Sequence, residues 1–312
     1  MGFAKTAVLL AALTALFLGV GFMLAGTLGA LMALAIALAL NAWAFWNSDK
    51  AVLRWYGARA VGPQSAPELW SMTERMAREA GLPMPALYVI EDAQPNAFAT
   101  GRDPGNAAVA VTTGLLQRLT REQVAGVVAH ELAHIENRDT LTMTVAATVG
   151  GAVSMVANMA LWAPRQRGVG ALLVTLLAAL AAPLSAGLIQ ALISRTREYA
   201  ADRRGGEICG NPLWLAGALH EIAAGPRPLM ERAERNPATA HLFIVTPLTR
   251  RGIDSLFATH PDPARRIAAL RAQAGLEPEP VAARGGAEAR GKRRANPWGI
   301  GRRARPWSGT RH

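Results

Sequence analysis

Between Lys5 and Asp49 the chain carries no charged residue. Such a run has no place on a wetted surface, and it is about twice the ~20 residues an α-helix needs to cross a bilayer. It predicts two membrane helices joined by a tight turn. Gly19, Gly21, Gly26 and Gly29 lie near its middle, where that turn should fall. A cleaved signal peptide would end sooner and would not be followed at once by a second apolar segment. Trp43, Trp46 and Trp55 gather where the run ends, as aromatic residues do at a membrane–water interface.

Leu141 to Ala163 and Val169 to Ile193 also lack charge and are each long enough to span, with a buried helical hairpin of a globular core as the alternative. Four crossings would put Lys5, Lys50, Arg54, Arg59, Arg138, Arg195, Arg197, Arg203 and Arg204 on one side, and only Arg165 and Arg167 on the other. Lys and Arg mark the cytoplasmic flanks, so the polar parts and the C-terminal tail are expected in the cytoplasm of a multi-pass protein. The fold expected is an α+β membrane protein, mostly helical, with about four transmembrane helices and a small β-sheet. Residues 1–50 and 141–193 form the helix pairs, residues 51–140 and 194–275 the two parts of one polar domain.

The formal charge of +11 sits mostly in the tail. From Val281 onward nine Lys and Arg face Glu288 alone, a net +8 that leaves +3 for residues 1–280. Residues 276–312, rich in Gly, Arg, Ala and Pro with Trp298 and Trp307 as large aromatics, read as a disordered basic tail. Anionic lipid head groups are its expected partner, and no specific nucleic acid is expected. The single cysteine, Cys209, excludes an internal disulfide framework and a four-cysteine zinc site.

Within the polar domain, residues 65–80 read as a helix with Ser65 as N-cap and Leu69, Met72, Met76 and Ala80 at helical spacing. ALYVI (86–90) and AAVAVT (107–112) read as strands joined by the loop NAFATGRDPGN. Gly114 to Leu119 begins a helix or turn, and Pro263 to Ala274 is an amphipathic helix with Ile267 and Leu270 inward. Thr120 opens a further helix with a capping box completed by Gln123.

That capped helix ends in HELAH. His130 and His134, four apart, share a face and can present imidazole nitrogens to one metal ion. Two neutral imidazoles suit zinc and leave room for a third protein ligand and a water. Glu131 is placed to act on that water as general base, not as a ligand. The best candidate for the third ligand is Glu198 in RTREYAAD, completing a two-histidine, one-glutamate site. Asp202, one turn further on, is placed to accept a hydrogen bond from a ligand imidazole. The competing account is that Glu198 and Asp202 only solvate a helix beside Arg195, Arg197 and Arg203. Two crossings between His134 and Glu198 return the chain to the same side, so the site can assemble. Cys209, His220 and His241 lack partners at useful spacing.

With NAFATG (96–101), VVAHELAHIENRDT (127–140), SRTREYAAD (194–202) and LFATHPDPARRIAAL (256–270), the chain resembles the HtpX-type membrane zinc metallopeptidases, kin of the CAAX-prenyl endopeptidases. The resemblance runs from the N-terminal helix pair to about Leu270. It implies a gluzincin-like domain, one zinc ion per chain, a place in the bacterial inner membrane, and misfolded or damaged membrane proteins as substrates. Carried over by position, His130, His134 and Glu198 are the implied ligands and Glu131 the base. His260 and Arg266 are implied beside the scissile carbonyl, and Asn96 on a strand that pairs with substrate backbone. An intramembrane zinc protease of the site-2 class fits less well, because TREQVAG before His130 is capped like a soluble helix. A non-catalytic membrane scaffold working through its basic tail is the alternative from another class.

Overall fold

The computed structural model describes residues 2–147, 195–226, 228–248, 261–276 and 298. Helix α1, Gly2–Trp55, is broken at Ala25 (φ −147°, ψ 28°) and Gly26 (φ 59°, ψ −142°). The positive φ at Gly26 is where only a glycine turns without strain, and it lies within the predicted turn. The two arms fold back on each other. Asn41 Nδ2 donates to Thr14 Oγ1 at 2.9 Å, and Thr14 Oγ1 donates to Leu10 O at 2.8 Å. A Cβ added at Gly29 would lie 2.1 Å from Gly21 O, so the arms touch backbone to backbone there, the contact that small residues permit between membrane helices. Among the described residues, Ala25–Trp55 is long and apolar enough to cross a bilayer, with a mean hydropathy of 2.0. The predicted second helix pair, 141–193, lies outside the described residues except for 141–147, which are helical.

After α1 come β1 (Arg59–Val61), α2 (Pro67–Glu79), β2 (Ala86–Ile90), β3 (Ala97–Gly101), β4 (Ala107–Thr112), α3 (Thr113–Arg118) and α4 (Arg121–Glu136). The sheet order is β1-β2-β4-β3, with β2 and β4 parallel and the other pairs antiparallel. Two local expectations change. The N-cap of α2 is Ala66, with Pro67 opening the helix, while Ser65 Oγ instead accepts from Gly62 N. Ala97–Gly101, expected in a loop, is the edge strand β3. It is buried along its whole length, so it lacks the alternation by which a strand is recognised.

Helix α4 is central. Its capping box is present, with Thr120 N donating to Gln123 Oε1 at 2.9 Å and Gln123 N to Thr120 Oγ1 at 3.2 Å. Every residue from Val124 to Ile135 is buried, which explains how an HELAH segment comes to lie in a dry interior. One side faces β3, and the other packs on α5 (Arg195–Cys209) and α6 (Pro212–Ala224). Gly205 of α5 sits against the ligand helix itself, where an added Cβ would lie 2.9 Å from His130 N. Gly205→Val would therefore push α5 off α4, at a cost of about 1–3 kcal/mol for overpacking. A lowered thermal midpoint together with lowered metal affinity is the expected result.

Helices α7 (Glu231–Arg235) and α8 (Pro263–Gln273) follow, with a 3-10 turn at Pro237–Leu242 between them. Leu270 of α8 is buried as expected, but so is Arg266. One residue of the basic tail is also fixed. The Trp298 indole is buried in the main core cluster and donates from Nε1 to Leu116 O at 3.0 Å.

Candidate metal centre

Helices α4 and α5 cross so that His130, His134 and Glu198 meet, all of them buried. Their ligand atoms all lie within 4.8 Å of one another. His130 Nε2 and His134 Nε2 are 3.1 Å apart, His134 Nε2 is 3.6 Å from Glu198 Oε1, and His130 Nε2 is 3.9 Å from Glu198 Oε2. Ligands ~2.0–2.1 Å from a tetrahedral zinc ion are about 3.3 Å from each other. The three side chains therefore already stand close to the spacing a small tetrahedral cation requires.

Behind each imidazole lies a carboxylate, and each carboxylate is gripped by an arginine. Asp202 Oδ1 lies 3.0 Å from His130 Nδ1. Arg266 grips Asp202 with two bonds, Nε to Oδ2 at 2.8 Å and Nη2 to Oδ1 at 2.6 Å. On the other ligand, Asp139 Oδ2 lies 3.2 Å from His134 Nδ1, and Arg197 donates to Asp139 Oδ1. Asp139 and Arg197 were not foreseen. Asp139 is five residues beyond His134, off its helical face, and reaches back only because Arg138 adopts φ 57° between α4 and the helical stretch 139–147. A non-glycine residue in that region is uncommon, and it is the turn that aims the carboxylate. Asp139→Asn should weaken metal binding about 10–100-fold without abolishing it, measured by competition with a chelating dye.

The electrostatics of the cluster follow from burial and these partners. Burial holds His130 down at about 4, against the partly restoring Asp202. Burial also disfavours charge on His134, but Asp139, Glu198 and Glu131 together outweigh it and push the group up to about 9. Burial likewise opposes the charge of Asp202, yet Arg266 overrides it and keeps the carboxyl below its usual range. Glu131 is buried and pushed up to about 7, chiefly by desolvation, although the Ala99 backbone N–H and nearby His134 favour its charged form.

Of the other sequence candidates, Arg266 is fully buried beside the cluster, with Nη2 3.5 Å from His130 Nε2 and Nη1 3.6 Å from Glu198 Oε2. Three of its five N–H groups are committed, two to Asp202 and one to Ile244 O. Asn96 precedes β3, and its amide is engaged within the chain, with Nδ2 donating to Val245 O at 2.8 Å. His260 lies outside the described residues. His241 is buried away from the cluster against Met143 O, and burial raises the Cys209 thiol, leaving it un-ionised at neutral pH.

Residues 63–274 match the model of peptidase family M48. That span is more than half of the chain and contains every residue of the cluster. The chain belongs to peptidase family M48. This family is one of peptidases by name, in agreement with the HtpX-type resemblance of the motifs. Among solved structures, the chain is similar to the crystal structure of S. mikatae Ste24p, with 18% identity and a TM-score of 0.49. That match covers 86% of this chain and 64% of the other.

Proposed function

We propose that this M48 member is a membrane-embedded zinc endopeptidase that cleaves misfolded or damaged membrane proteins at the cytoplasmic face. The observation that carries the reading is the buried His130–His134–Glu198 triplet, with Glu131 beside it and the edge strand β3 alongside. Two imidazoles and one carboxylate at these separations fit zinc with one position left for water or substrate. Bound zinc would supply Lewis-acid polarisation of the scissile carbonyl and lower the pKa of a water towards ~7.

The chain's own residues do the rest. Asp202 and Asp139, each fixed by its arginine, keep Nε2 of both imidazoles turned towards the metal position. Glu131, buried beside the ligands, is placed to take a proton from the attacking water and return it to the leaving amine. The two N–H groups that Arg266 has left face the cluster, where they would stabilise a developing oxyanion. Substrate backbone would add to the outer edge of β3, with Asn96 at its start, as extended peptides add to sheet edges. His260, on the resemblance, would share the oxyanion role. The basic tail beyond residue 280 would hold the domain near anionic head groups, each close Lys or Arg contributing about 1 kcal/mol.

The reading is tested with the full chain in detergent and casein as an unfolded substrate. Cleavage should stop on treatment with a strong chelator and return on adding back zinc. Cleavage that survives exhaustive chelation would overturn the metal role.

A further inference from the structure

Phe243, Ile244 and Val245 follow the 3-10 turn Pro237–Leu242 without joining any helix or strand, yet all three are buried. A buried irregular segment must find partners for its backbone N–H and C=O groups elsewhere. These partners are the residues of the site. Ile244 N donates to Ala97 O at 3.1 Å, and Arg266 Nη1 donates to Ile244 O at 2.9 Å. Asn96 Nδ2 donates to Val245 O at 2.8 Å, and Val245 N lies 3.5 Å from Asn96 Oδ1.

The Ala97 carbonyl belongs to the outer edge of the sheet. Asn96 O accepts from Thr112 N at the end of β4, so the backbone groups of the next residue, Ala97, turn the other way. Two residues further on, the outward N–H of Ala99 is bonded to Glu131. An extended peptide approaching the metal position along β3 would need the Ala97 carbonyl and the Asn96 amide, both of which Ile244 and Val245 already hold.

The segment is also tied to the membrane exit. The Phe243 ring packs edge-on against Tyr56, 5.1 Å between centroids, and against Phe98 at 5.2 Å. The Tyr56 hydroxyl bonds that of Thr239, and Arg232 donates to Tyr56 O. Trp55, the last residue of α1, donates from Nε1 to Arg232 O at 3.2 Å.

We propose that Ile244–Val245 is an internal occupant of the peptide-pairing edge, a plug that substrate must displace and that is anchored to the end of membrane helix α1. The proposal rests on the peptidase reading of the site. Cleavage is then open only to the fraction of molecules with the plug released, and that fraction scales the apparent affinity for substrate. Because the anchor is Trp55 and Tyr56, movement of α1 by a membrane-bound substrate is a direct way to change it.

The test uses the zinc-loaded full chain in detergent, with Cys209→Ser as the parent. Ala97→Cys with Ile244→Cys places two thiols on residues that share one core cluster and a backbone bond, and the cross-link of the plug to β3 is verified by mass and thiol titration before assay. The oxidised form should lose at least ten-fold in kcat/KM on casein and regain it with a phosphine reductant, at constant zinc content. Equal activity in both redox states would overturn the plug. Hydrogen exchange gives an independent measure in Glu131→Gln protein. The Ile244 amide should be protected alone and exchange at least ten-fold faster with saturating casein. An amide that stays protected while casein is bound would make the segment a fixed wall and end the proposal. If the zinc-loaded parent cleaves no casein, the peptidase reading fails first and takes the plug with it.

Discussion

Glu131→Gln should lower kcat on casein by about 10²–10⁴-fold, the usual worth of a positioned general base, while zinc content stays at the parental level. Gln has nearly the shape of Glu and can still accept from the Ala99 backbone N–H, but it cannot take a proton. The substitution also removes a carboxylate that burial holds at about 7, so the folded protein should not be weakened and its thermal midpoint should hold or rise. Loss of activity with folding and zinc retained separates the base from the ligands. A Gln variant that cleaves at the parental rate would remove Glu131 from the mechanism.

Arg266→Leu should be the most damaging single change to stability near the site. Arg266 and Asp202 are both buried and joined by two bonds. Deleting the cation strands a carboxylate in the interior, which costs about 3–5 kcal/mol. The carbonyl of Ile244 loses its donor as well. Arg266→Lys keeps a charge but not the planar fork, so it should recover only part of the loss in a denaturant titration. Adding Asp202→Asn to Arg266→Leu should restore stability without restoring metal affinity, because His130 would then face an amide in place of a carboxylate. Additive losses in the double variant would mean that the two residues do not act as a pair.

What could be read from the sequence was what depends on local spacing. The capping box of Thr120 and Gln123, the shared face of His130 and His134, and the break near Gly26 are all set within a few residues. Glu198 was within reach for another reason, since the carboxylate pair with Asp202 repeats at one helical turn. Asp139 was not, because its position depends on a single left-handed residue, Arg138, in a turn without glycine. Strand β3 was hidden by its burial on both faces, which removes period-two alternation. The contacts of Ile244 and Val245 were least visible. Backbone hydrogen bonds between an irregular segment and a sheet edge leave no pattern in side-chain order. Arg266 lay between these cases. The family motif marked it as a site residue, and the structure shows it committed to Asp202 and Ile244.

In the proposed function His130, His134 and Glu198 together hold one zinc ion. Metal analysis of the full chain, purified without chelating resins, tests it most directly against Glu198→Ala. One zinc per chain in the parent, with the variant losing it on dialysis, is the predicted result. A parent that holds no zinc, or a variant that keeps it as tightly, would contradict the assignment.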